Sequence, residues 1–209
     1  MSDSIALLES VKESAMVRLP GADPTIIDRE TRWMMSEFLR ETRVWRRVMT
    51  VTLVDATTMY DLPIEDEEAV AVLMGATLDG SQMSLGLPSA LDEQEGTPTQ
   101  AGMEGDRVLR VWPVPMLGDA GKVVAVDVAL TLLVSVDAVP PDALRPYQGY
   151  MLDGLLARLY AMPDKPWTNV RIADVHLRRF ETGKASVKRD MDGHRSFGSP
   201  RARFPRFGA

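Results

Sequence analysis

The chain has 209 residues, 45% of them hydrophobic and 26% charged, with a formal net charge of −6 and no cysteine. That composition excludes global disorder, a disulfide scaffold, a thiol nucleophile and cysteine-held metal or iron–sulfur centres. A chain of this length buries roughly 70% of its unfolded surface, enough for one large domain or two small ones.

Residues 4–17 are predicted to form a first helix, with Ile5, Leu8, Val11 and Ala15 on one face. Leu19-Pro20-Gly21 ends it, and Asp23 caps a second helix with Pro24 at its first position. Ile27, Glu30, Met34, Phe38 and Glu41 run down one side of that helix. Trp33, Phe38 and Trp45 read as large core anchors. Arg29, Arg32, Arg40, Arg43, Arg46 and Arg47 make the helix Arg-rich. Asp28, Glu30, Glu37 and Glu41 interleave with them, which is the pattern of a solvated, ion-paired face.

From Val48 the hydrophobic period changes to two. The segment VMTVTLVDATTMYDLP alternates and closes at Pro63; AVAVL (69–73), RVLRVW (107–112) and residues 123–134 are further predicted strands. The last of these is long enough to bend or to supply two strands, and residues 91–104 read as an acidic loop. No apolar run is long enough to span a membrane: the longest, 123–136, is broken by Asp127, Thr131 and Ser135. MSDSIALLES has no basic leading region, so no signal peptide is expected.

Helical periodicity returns after Pro140-Pro141-Asp142. Leu144, Tyr147, Met151, Leu155 and Leu159 define one face, and Gly154 within it implies close contact with another helix. A last helix is predicted over 170–188, with Ala173, Leu177, Phe180, Lys184 and Val187 inward; Trp167 before it and Phe180 within it read as anchors. The expected class is α+β. A helical bundle built from 1–47 and 137–190 carries an inserted antiparallel β-sandwich or barrel (48–136) and ends in a flexible basic tail (191–209).

Charge is unevenly distributed. Residues 48–106 contain no Lys or Arg and carry −12, including the run Glu65, Asp66, Glu67, Glu68; residues 188–209 carry +4. An acidic middle repels nucleic-acid phosphates, whereas the basic end suits either nucleic acid or an acidic protein surface. Candidate chemistry is sparse. His176 and His194 are the two histidines and have no metal-ligand spacing, and no nucleophile elbow, Walker loop or dinucleotide fingerprint is present. Asp190-Met191-Asp192-Gly193 is similar to part of a calcium loop but lacks its remaining oxygen ligands. No catalytic residue, cofactor or metal is expected.

Four stretches carry a family resemblance: DPTIIDRETRWMMSEFLRETRVWRR, with Phe38 and Trp45-Arg46; MYDLP at 59–63; VPPDALRPYQGYMLDGLLARLYAMPDKPWTNVRIADVHLRRFETGKASVKRD, with a Met-Pro, Lys-Pro-Trp, Phe-x-x-Gly helix pair; and the Arg/Phe tail. In these the chain resembles the head-to-tail adaptor (connector, tail-tubular) proteins of tailed bacteriophages. The resemblance implies a non-enzymatic virion protein in the neck, made in the host cytoplasm and assembled as a twelve-fold ring. The implied partners are the portal protein and a downstream tail or nozzle protein, with genomic DNA passing through the lumen unbound. It also places portal docking on the tail, at Arg195, Phe197, Arg201, Arg203, Phe204, Pro205, Arg206 and Phe207. The alternative reading is a nucleic-acid-binding regulator that uses the Arg-rich helix and the tail, against which the net negative charge counts. A hydrolase has no supporting motif.

Overall fold

Four helices and eight strands make up the computed structural model, which describes residues 2–86, 94–133 and 142–193. Helix α1 spans Ser2–Arg18 and buries Val11 and Ala15. Asp23 then caps α2 (Pro24–Thr42), its side chain accepting the Thr25 N–H at 2.8 Å. Arg43 ends α2 in the left-handed conformation (φ 55°), with its N–H bonded to the Leu39 carbonyl. Arg46 and Arg47, expected on this helix, therefore lie in strand β1 (Arg46–Thr52). An arginine in that conformation gives no Gly or Asn signal, so the helix end was not visible in the sequence.

The alternating segment 48–63 is divided between two sheets. It supplies β1 to the first and β2 (Met59–Asp61) to the second, with a turn that puts Ala56 at φ 53°. Strand β3 is Glu68–Leu78, longer than expected, and its register against β8 shifts between Val70 and Val72 and again between Leu73 and Gly75. Those irregularities blur its alternation in the sequence. Short β4 (Ser81–Gln82) and β5 (Ser84–Leu85) follow. Part of the expected acidic loop is strand β6 (Gln100–Glu104), and residues 91–93 of that loop lie outside the described ones. At Gly102 any side chain would collide with the Gly86 carbonyl, so this position requires glycine. β7 is Val108–Trp112, and β8 (Val123–Leu132) is one continuous strand, not two.

The first sheet has the order β1-β8-β3-β4 and the second β2-β7-β6-β5. All pairings within the two sheets are antiparallel except β5 with β6. The sheets stack as an open sandwich, not a barrel. Its core holds Met49, Val70, Leu109, Val111 and the alternate β8 residues Val124, Val126, Val128 and Leu130.

A second core lies among the helices. After a 3-10 turn at Asp142–Tyr147, α3 (Gln148–Tyr160) and α4 (Val170–Gly193) pack against α2. Met34, Phe38, Met151, Leu155, Leu159, Phe180 and Val187 fill this core, and Leu132 at the end of β8 enters it as well. Helix and sheet meet where Ser36 on α2 lies against Thr131 on β8. The Thr131 hydroxyl donates to the Ser36 carbonyl at 3.1 Å, which satisfies a buried polar group at the junction.

Two inward-facing expectations change. Trp33 is 50% exposed, since it sits on the flank of α2 between the buried Met34 and the solvent side. On α4, Leu177 is 46% exposed and His176 takes the inward place, its Nδ1–H donating to the Asp153 carboxylate at 2.7 Å and its ring stacking on Tyr160.

Candidate functional site

The helical bundle is built around close contact at two glycines. A Cβ on Gly154 of α3 would lie 2.7 Å from the Phe180 ring and 2.9 Å from Met34; one on Gly183 of α4 would lie 2.5 Å from the Tyr150 ring. Phe180 also stacks on Phe38, with ring centroids 6.1 Å apart. Both phenylalanines are buried, whereas Trp45 and Trp167 are half-buried at the margins of the helical core.

Lys184 projects from α4 along this seam. Only 4% of its side chain is exposed, and Nζ reaches Glu37 at 2.6 Å, Glu41 at 2.9 Å and Glu181 at 2.9 Å, while lying over the Phe180 ring. Burial pulls the ammonium pKa down, but the hydrogen bonds to Glu37, Glu181 and Glu41 outweigh it and hold the group above the ordinary lysine value. Arg158 of α3 bonds Glu30 at 2.8 Å and Glu37 at 3.4 Å, so the carboxylates of α2 are bound from both neighbouring helices. Among the described residues no group of three or more His, Cys, Asp or Glu side chains is placed to hold a metal ion. Asp190–Gly193 is the last turn of α4, not a calcium loop. No described helix is long and apolar enough to cross a membrane.

The Arg-rich segment is partly committed to the fold. Arg47 forms a bidentate pair with Glu68, both bonds at 2.7 Å, and Arg46 donates to the Met191 carbonyl at 3.2 Å. Glu68 is thus 5% exposed, so the acidic run Glu65 to Glu68 does not present all four carboxylates to solvent. Glu65 and Asp66 are exposed, and Glu67 is half-buried. Arg107 binds the Asp66 carboxylate and the Glu65 carbonyl, which fixes the turn before β3.

What the molecule offers to partners is surface. A groove of about 570 Å³ between α2 and the sheet is lined by Trp33, Arg40, Val70, Asp106 and Leu133. A second, apolar groove of about 350 Å³ runs between the end of α3 and the start of α4, with Ala157, Ala161, Val170 and Leu177 in its walls. Val17 at the end of α1 is 82% exposed and Val170 71%. Trp33 and Leu177, expected inward, lie on the surface; helical spacing makes apolar side chains look inward even when the bundle leaves them uncovered. The tail residues Arg195, Phe197, Arg201, Arg203, Phe204, Pro205, Arg206 and Phe207 lie outside the described residues.

A helical bundle interrupted by a β-sandwich is the layout of the phage adaptor proteins that the sequence resembles. Over residues 6–203 the chain matches the SU10 adaptor protein family, and it belongs to that family. It is a structural head-to-tail adaptor of a bacteriophage, a component of the virion neck. No curated protein matches it closely enough to count as a relative.

Proposed function

We propose that the protein assembles as a ring, twelve-fold in the reading the resemblance gives, that joins the portal to the tail and surrounds the path of the exiting genome. The bundle of 1–47 and 137–190 works as one domain against the portal. The inserted 48–136 works as a second domain toward a downstream tail or nozzle protein. The basic tail, 191–209, docks on the portal through its Arg and Phe residues, a composition suited to charge pairing and aromatic anchoring. The protein is made in the host cytoplasm before joining the virion, and DNA passes without specific binding, in keeping with a net charge of −6.

The family match over 6–203 carries this reading. The regulator alternative loses support because Arg46 and Arg47 are engaged within the fold. Negative-stain imaging of the protein alone and with its portal tests the proposal. Rings seated on the portal are expected, and a version lacking 197–209 should keep its melting temperature yet fail to attach. Normal attachment of the truncated protein would refute the docking role. Tight DNA binding with a steep salt slope and no ring would favour the regulator.

A further inference from the structure

The helices alternate in direction. Lys12 of α1 pairs with Asp28 of α2 at 2.6 Å, Glu30 of α2 with Arg158 of α3, and Asp153 of α3 with His176 of α4. Consequently the end of α1, the start of α2, the end of α3 and the start of α4 all lie at one end of the bundle. α1 and α4 each pack on both α2 and α3, with no comparable contact between them among the described residues. In cross-section the bundle is therefore a rhombus with α1 and α4 at its far corners.

Each of those corners carries uncovered apolar surface at the same end of the bundle. At α1 it is a projection: Met16 (38% exposed) and Val17 (82% exposed). At α4 it is a recess: the groove between Ala157 of α3 and Ala161 just beyond its end on one side and Val170 and Leu177 of α4 on the other. Charge matches as well. Glu13, one turn before Val17, and Arg171, next to Val170, are both exposed, and neither forms an ion pair among the described residues. Arg18 beside Val17 is opposite in sign to Asp174 on the groove wall, which also pairs with Arg178 at 2.7 Å within the chain.

We propose that Met16 and Val17 of one copy insert into the α3–α4 groove of the next copy, which makes this the subunit contact of the ring. The inference rests on the ring reading above and names the surfaces that build it. Projection and recess are different patches, so the contact is heterologous and repeats from copy to copy. Because both lie at one level along the bundle, repetition about an axis parallel to the bundle adds no climb, and it closes into a ring when the rotation per copy divides the full turn. Patches at different levels would climb into a filament.

The absence of cysteine allows a clean test on the full chain assembled with its portal. Val17→Cys and Leu177→Cys are introduced together, a short bis-maleimide is added, and the products are separated under denaturing conditions. The double variant should give a ladder of dimers, trimers and higher species. Mixing the two single variants should give dimers only, and each single variant alone should stay monomeric. Both positions are substantially exposed, so unchanged melting temperatures are expected. Val48→Cys with Leu177→Cys, which places the first thiol on the sheet, should give no ladder. Single variants that cross-link as readily as the pair would overturn the heterologous contact. Rings visible on the portal without a ladder would overturn the inference and leave the ring reading standing. Wild-type protein bound to the portal as separate monomers would overturn the ring reading and this inference together.

Discussion

Gly149 and Gly154 lie five residues apart on α3, and the same substitution at the two should have opposite signs. Replacing a helical glycine by alanine lowers the entropy of the unfolded chain and favours the helix by up to about 1 kcal/mol. At Gly149 nothing lies within 4 Å of the added methyl, so Gly149→Ala should stabilise, by about 0.5 kcal/mol given its place in the first turn. At Gly154 the methyl would sit 2.7 Å from the Phe180 ring and 2.9 Å from Met34. Phe180 is held by Phe38 on one side and by Lys184 above it, so the ring has little room to retreat. Overpacking of this kind costs about 1–3 kcal/mol, which exceeds the helix gain and leaves Gly154→Ala destabilised by about 1 kcal/mol. For a chain of this size that is about a 3 °C fall in Tm, against a rise of about 1–2 °C for Gly149→Ala. Urea unfolding and thermal scans of the two variants decide it. Phe180→Leu in the Gly154→Ala background should cost less than Phe180→Leu alone, because the smaller side chain relieves the clash. A stabilised Gly154→Ala would refute the packing of Phe180 against α3.

Three further outcomes are expected. Arg47→Met alone leaves the buried Glu68 carboxylate unpaired and should cost about 2 kcal/mol in denaturant unfolding, whereas Arg47→Met with Glu68→Leu should recover most of it. Lys184→Met should be destabilising by an amount that is constant at neutral pH. Because the folded pKa is raised, the lysine's contribution is complete below its ordinary value of 10.5 and is lost as pH rises through the folded value. The gap between wild type and variant in pH-dependent melting should therefore narrow only above about pH 10.5. Glu65→Lys with Asp66→Lys, sparing the structural Glu68, should leave ring assembly unchanged; slowed genome release would place the turn beside the DNA path, and normal release would remove it from there.

How much of this was legible in the sequence follows from the physics of each element. The helices announced themselves because Asp23-Pro24 is a strong start signal and because Met151, Leu155 and Leu159 keep a 3.6 period. Gly154 pointed to a close helix contact, and the Phe180 ring supplies it. Strand β6 was hidden because QAGME has little apolar surface to alternate; it is held by its neighbours β5 and β7 and by the room Gly102 leaves for Gly86. The burial of Glu68 could not be read from a run of four carboxylates, since it depends on Arg47 arriving from a strand where the sequence pattern predicts a helix. Leu177 fitted an inward helical face by spacing alone; which flank of α4 remains open depends on where α2 and α3 end, and one sequence does not contain that information.

Strand β8 links the two cores mechanically. Leu130 belongs to the sandwich and Leu132, two residues on, to the bundle, while hydrogen bonds to β1 and β3 run along both edges of the strand. A load drawn along its axis would be shared among those bonds at once, so they would have to yield together instead of opening one at a time. The ten-residue strand is about 33 Å long. It acts as a stiff beam whose end is clamped in the bundle by Leu132 and by the Thr131–Ser36 hydrogen bond. A tilt imposed on the bundle at that junction therefore bears directly on β8 and, through its ladders, on β1 and β3.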